Sequence, residues 1–262
     1  MSGVAPAGPV ISSRDNPLVQ RLRRLLADPS AYRREGVFFI EGEHLCAAYL
    51  QRGHRPQLAV FSQSAWEEPT LRALAASGFA AHRLSDRLFG QLSALPSPAG
   101  VAFVAACPQG TAPDPDQAAV LLDRLQDPGN VGSILRSASA LGVRQVWSTP
   151  GTASLWSPKV LRAGMGAHFG LSLSEGVDVA ALSGGAARWV ATSSHASAVL
   201  GEVSLPQPCV WVMGHEGQGV SPEILKLCGL TLRIPQPGGE ESLNVAAAAA
   251  ICLYESARTC LR

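Results

Sequence analysis

The chain is poor in charge and poorer still in lysine. Charged residues make up 16% of its 262 residues, and of 21 basic residues only Lys159 and Lys226 are lysines. With 47% apolar residues and a formal net charge of +1, the composition excludes a mainly disordered chain. On the total alone, so small a charge also argues against a polyanionic partner. Long apolar runs are missing. The longest, Val245–Tyr254, is too short to span a bilayer. The N-terminal MSGVAPAGPVISSRDN lacks both the apolar core of a signal peptide and the Arg-rich face of a transit peptide. The expectation is a soluble cytoplasmic protein with no membrane contact. Paired cysteines are missing too. Cys46, Cys107, Cys209, Cys228, Cys252 and Cys260 form no C-x-x-C pair. Buried free thiols fit this pattern better than a disulfide framework, and no metal site is expected.

What is present divides the chain. Residues 106–117, ACPQGTAPDPDQ, are rich in proline and aspartate and have no apolar periodicity, so they read as a linker. They separate residues 1–105 from 118–262, each of ordinary domain size. In the first part, leucines at helical spacing predict an amphipathic helix over Pro17–Ala27. Strands are predicted at Val37–Glu41, Leu58–Ser62, Ala80–Leu84 and Val101–Ala105, with helices at Gly42–Arg52 and Glu67–Ser77. In the second part, strands are predicted at Ala119–Asp123, Val143–Ser148, Trp189–Thr192, Cys209–Met213 and Thr231–Ile234. Helices are expected at Asn130–Leu141, Pro158–Met165, Pro222–Leu227 and Leu243–Arg258. Short apolar strands alternating with helices imply an α/β fold with a mostly parallel sheet.

Ligands of such sheets bind beyond the carboxyl ends of the strands. Three loops there are unusual. The first is DPGNVGSILR, with Asn130 as a candidate N-cap and Arg136 on the polar face of the next helix. An arginine near a helix start can hold a phosphate, although a solvated side chain accounts for Arg136 taken alone. The second is GHEGQGV, where closely spaced glycines allow a tight, bare backbone and Glu216 is the acidic residue. The third is IPQPGGEESLN, entering an Ala-rich helix, with Ser242 and Asn244 near its start. Helix capping alone explains those two. Together, however, the loops bring Asn130, Arg136, Glu216, Ser242 and Asn244 to one edge of one sheet, more polar groups than capping requires. The dinucleotide fingerprint G-x-G-x-x-G and the P-loop are both absent.

DPGNVGSILRSA, VMGHEGQGV and IPQPGGEESLNVAAAAAI resemble, in order, the three motifs of the SpoU (TrmH-like) RNA ribose 2′-O-methyltransferases of the SPOUT superfamily. The likeness covers about Val120 to Leu261. The N-terminal stretches ISSRDNPLVQRLRRLL and FFIEGEHL are similar to the family's L30e-like substrate-binding domain. The resemblance implies a deep trefoil knot in the second domain and S-adenosylmethionine bound by its loops. Gly214, Ile234 and Leu243 match cofactor positions, and Thr192 and Met213 lie where further contacts are expected. It implies a homodimer, with Arg136, Asn130, Glu216, Ser242 and Asn244 as the catalytic set. It also implies methyl transfer to RNA, with large-subunit (23S) rRNA favoured over tRNA because of the additional N-terminal domain. A tRNA methyltransferase and a non-catalytic RNA-binding protein of the same fold are the alternatives. Two positions depart from the pattern: His215 replaces the usual Asn, and Gln236 stands where Met is common.

An RNA partner sends the argument back to charge. Arg14–Arg34 holds six arginines against Asp15 and Asp28, so the balanced total conceals a basic stretch. Arg21, Arg23 and Arg24 are expected to contact RNA phosphate. The family-like segment SPKVLRA adds Lys159 and Arg162, for which a solvated helix face is an equal reading.

Overall fold

A computed structural model of the chain describes residues 8–75, 78–185, 187–239 and 242–260. It divides into two compact units, one of residues 1–108 with Trp156–Phe169, the other of Gln109–Leu155 with residues 170–262. The sequence division placed Trp156–Phe169 within 118–262, whereas the contacts group it with the first unit.

The first unit opens with α1 (Pro17–Ala27) and α2 (Ala31–Glu35). Asn16 caps α1, its Oδ1 accepting from Leu18 N at 2.9 Å, and Pro17 sits where a helix needs no amide. Val19, Leu22 and Leu25 form the buried stripe that the leucine spacing predicts. Then follow β1 (Val37–Glu41), α3 (Glu43–Gln51), β2 (Leu58–Ser62), α4 (Gln63–Glu67), α5 (Pro69–Ala73), β3 (Ala80–Leu84), α6 (Asp86–Leu92) and β4 (Val101–Ala106). The predicted helix over Glu67–Ser77 is instead the pair α4 and α5. Glu68 adopts an extended conformation before Pro69, which ends one helix and starts the next. The sheet runs β1-β4-β2-β3, with β4 antiparallel to both neighbours and β2 parallel to β3. Its core joins the α1 stripe to Val37, Phe39, Val60 and Val104.

The second unit begins with β5 (Ala119–Leu122), α7 (Pro128–Ala140) and β6 (Gln145–Ser148). The chain then returns to the first unit as α8 (Pro158–Gly164), which packs on β1 with the Trp156 ring 4.6 Å from that of Phe38. It re-enters the second unit as β7 (Ser172–Glu175), α9 (Val179–Leu182), β8 (Arg188–Thr192) and β9 (Ala198–Val199). The unit is completed by β10 (Cys209–Met213), α10 (Pro222–Leu225), β11 (Leu230–Arg233) and α11 (Val245–Cys260). The strand order is β7-β6-β5-β10-β8-β11-β9, and every pair is parallel. Buried on both faces, β10 is apolar throughout. α11 packs on α7 and β10, burying Ala249, Cys252 and Leu253.

Two details bear on the sequence reading. Part of the predicted linker is tied into the second unit: Ser174 Oγ donates to Thr111 O at 2.8 Å and Asp114 N to Gln145 Oε1 at 2.9 Å. No disulfide joins the described cysteines, and burial pushes the Cys228 thiol to about 11 and the Cys252 thiol to about 12. No helix among the described residues is long and apolar enough to cross a membrane.

Candidate active site

In the second sheet the chain passes from β5 outward to β6 and β7 on one side, while β10 and β8 lie on the other. In open α/β sheets a ligand sits at such a reversal, here beyond the carboxyl ends of β5 and β10. The loops after β5, β10, β8 and β11 leave four consecutive strands of the sheet at this edge.

The first helix start differs from expectation. Asp127, not Asn130, is the N-cap of α7: its Oδ1 accepts from Asn130 N at 2.7 Å, and Pro128 opens the helix. Asn130 is therefore inside the first turn, which frees its side chain. Its Nδ2 donates to Glu216 Oε1 at 3.1 Å, and its Oδ1 accepts from Asn244 Nδ2 at 2.9 Å. At α11 the cap is Asn244, not Ser242, since Asn244 Oδ1 accepts from Ala246 N at 2.9 Å and Ala247 N at 3.3 Å. One hydrogen-bonded chain, Glu216–Asn130–Asn244, thus joins the three loops.

Glu216 is fixed further by Gln126 N at 3.3 Å on Oε2 and Asp127 N at 3.2 Å on Oε1. Desolvation pushes its pKa upward, but the hydrogen bonds from Asn130, from its own amide and from Asp127 and Gln126 outweigh it. The carboxyl is held below its ordinary value and is charged at neutral pH. Its backbone comes from a turn closed by His215 N to Gly219 O at 3.0 Å and Gly219 N to His215 O at 2.8 Å. His215 Nδ1 accepts from Gly217 N at 3.0 Å and Gln218 N at 3.3 Å, so the ring acts as a turn-closing acceptor. The imidazole therefore performs the service an Asn carbonyl gives in such turns. Gly214 has a steric reason to be glycine: a Cβ there would lie 2.2 Å from Val220 N.

The other expected residues are placed as follows. Arg136 is exposed on α7 and forms no ion pair among the described residues. Glu216 therefore braces the loop and Asn130, not Arg136. Ser242 and Leu243 are exposed just before α11, and Ile234 is half-buried just after β11. Thr192 ends β8, half-buried, and Met213 ends β10, fully buried. In the first unit, Arg21 Nε lies 3.3 Å and Arg24 Nε 3.9 Å from the Glu35 carboxylate, and Arg23 is half-buried on the same helix. Lys159 and Arg162 are exposed on α8, which belongs to that unit.

Two residues near the site were not singled out from sequence. Asp127 carries a readable signal, the Asp-Pro pair at a helix start. Asp123, at the end of β5, carries none, because its partners come from other strands.

Fold and cluster together define an α/β protein with a hydrogen-bonded polar cluster at the switch point of a parallel sheet. The pattern of the SpoU rRNA Methylase family matches residues 117–254. An uncharacterized tRNA/rRNA methyltransferase of Synechocystis sp. is 34% identical over 259 residues, 95% of this chain and 93% of that protein. The 23S rRNA (guanosine(2553)-2′-O)-methyltransferase RlmP of Bacillus subtilis is 31% identical over 83% of this chain and 87% of its own length. The crystal structure of the SpoU methyltransferase AviRb from Streptomyces viridochromogenes, in complex with AdoMet, superposes with a TM-score of 0.82 at 26% identity, covering 94% of this chain and 99% of that one. The chain belongs to the SpoU rRNA methylase family.

Proposed function

We propose that the protein transfers a methyl group from S-adenosylmethionine to a ribose 2′-hydroxyl of RNA, with large-subunit (23S) rRNA as the substrate. The observation that carries this reading is the Glu216–Asn130–Asn244 chain, which ties three family motifs into one preorganised cluster. The residues present fit the cofactor. The loop after β11 holds Gln236, whose Oε1 is buried without a partner among the described residues, an acceptor suited to a ligand donor. Thr192 and Met213 at the ends of β8 and β10, with Gly214, Ile234 and Leu243 from the loops at that same edge, would hold it. S-adenosylmethionine carries its methyl group on a sulfonium, an already activated donor.

The demanding partner is the hydroxyl, which attacks poorly while it keeps its proton. A guanidinium offers N–H donors and no acceptor, which makes Arg136 a poor base. Its role is to clamp the substrate phosphate and polarise the hydroxyl. Asn130 and Ser242 orient the ribose, Asn244 braces Asn130, and Glu216 fixes the loop. Alignment of the two reactants supplies much of the rate. Arg136→Ala is expected to abolish methyl transfer while calorimetry still reports cofactor binding. Transfer at the wild-type rate by that variant would overturn the assignment.

RNA reaches the site with help from Arg21, Arg23 and Arg24, in the part read as the L30e-like substrate-binding domain over 1–105, and from Lys159 and Arg162 on α8, which groups with the same unit. The trefoil knot belongs to this reading, supported by β10 lying between the earlier strands β5 and β8. So does a homodimer in the cytoplasm. Ile251 and Tyr254 leave 40% and 59% of their surfaces exposed on α11, apolar surface that a second copy would cover. Tyr254→Asp is expected to shift sedimentation from dimer to monomer.

A further inference from the structure

Beside the described cluster, Arg124 has an uncommon backbone. Its φ is +57°, the left-handed region that a side chain with a Cβ rarely adopts. The backbone leading into it is fixed. Arg124 N donates to Thr149 Oγ1 at 3.0 Å, and the preceding Asp123 N donates to Met213 O at 2.8 Å, extending the β5–β10 ladder. A glycine would take this place without strain, and an arginine kept there points to work for its side chain.

That side chain bridges two loops. Nε donates to Asp123 Oδ1 at 3.2 Å, and Nη1 donates to Gln218 Oε1 at 3.1 Å. Asp123 is 1% exposed, and its other oxygen accepts from Ser221 N at 2.7 Å. Thr149 Oγ1 lies 3.3 Å from Oδ1. The pair therefore grips the β10 loop at Gln218 and Ser221, on the far side of the turn from Glu216. Glu216 in turn grips the residues just after Arg124, at Gln126, Asp127 and Asn130. The turn is held from two sides, by a carboxylate it contributes and by a cation it accepts.

We propose that Arg124, anchored on buried Asp123, is a positioning residue for methyl transfer: it sets the 215–219 turn so that Glu216 meets Asn130 in register. It acts through the loop, not on the reactants. This rests on the methyltransferase reading, so its test includes a measurement that needs no activity.

The test compares Arg124→Gly, Gln218→Ala and the double variant in the full chain. Arg124→Gly removes the bridge and also the left-handed strain, so its melting temperature is expected to equal or exceed the wild type. Hydrogen exchange at the amides of residues 217–221 is expected to rise roughly tenfold. The kcat should fall roughly tenfold, with KM for RNA unchanged. Gln218→Ala should give the same kcat loss, and the double variant no further loss. A melting temperature that falls with the activity would make the role structural and overturn the proposal. A raised KM for RNA at unchanged kcat would mean that Arg124 binds RNA, and would overturn it too. Unchanged exchange at 217–221 would overturn it whether or not the wild type methylates RNA. A wild type without activity but with the exchange change would instead fault the methyltransferase reading.

Discussion

The two units use charge in opposite ways. In the second, Glu216 is met by the backbone amides of Gln126 and Asp127, and buried Asp123 by the Ser221 amide together with Arg124 Nε and Thr149 Oγ1. The amide donors cannot swing away, so the carboxylates hold loops in place. In the first unit the charges meet each other through side chains, half-buried Arg21 with Glu35 and exposed Arg34 with Asp28. Such pairs contribute only about 0–1 kcal/mol each, and their partners exchange readily. The difference teaches where each function resides. On the proposed function, fixed geometry would serve the reacting groups, and the loosely paired arginines would trade a carboxylate for an RNA phosphate.

The comparison breaks first at Asn130. Asn130→Asp sets a carboxylate against Glu216 Oε1, now 3.1 Å from the amide nitrogen, and is expected to slow methyl transfer roughly hundredfold. Single-turnover rates check this, with cofactor binding retained. Next comes Gly214→Ala, whose Cβ meets the Val220 amide and must open the turn. A loss of about 3 kcal/mol in chemical unfolding is expected, together with weakened cofactor binding. In the first unit the effect should fall on affinity, not on stability. Replacing Arg21, Arg23 and Arg24 together with alanine is expected to weaken RNA binding and lower its salt slope by about 2, with stability changed by less than about 1 kcal/mol. Binding titrations at several salt concentrations read it.

The smallest effect is acid sensitivity. The pKa of Glu216 is lowered on folding, so its contribution to stability is complete above the unfolded value of about 4.3 and is lost as pH falls through the native one. Glu216→Gln should remove that acid-side component from a stability–pH curve and leave neutral to alkaline behaviour parallel to the wild type.

Much of this was legible in the sequence, for physical reasons. α1 and β10 match their predicted limits because their stripe and apolar run are unambiguous. The glycine-rich turn and the residues Asn130, Glu216 and Asn244 stood out because loops at strand ends concentrate polar groups. The caps were misread by a few residues because Asp127 and Asn130, and likewise Ser242 and Asn244, are all competent caps and tertiary bonds choose between them. β7, a four-residue strand reading SLSE, has too little pattern to be seen. Asp123 and Arg124 were invisible because nothing local marks a carboxylate that meets Thr149 and Ser221, both distant in sequence. The grouping of α8 with the first unit was equally hidden, since Trp156 finds Phe38 only in the folded chain.

The most direct test of the central claim is a map of ribose 2′-O-methylation across the large-subunit rRNA of cells with the wild-type chain, with Arg136→Ala, and with neither. The account predicts one ribose methylated with the wild type and unmethylated in the other two. A map identical in all three would contradict it.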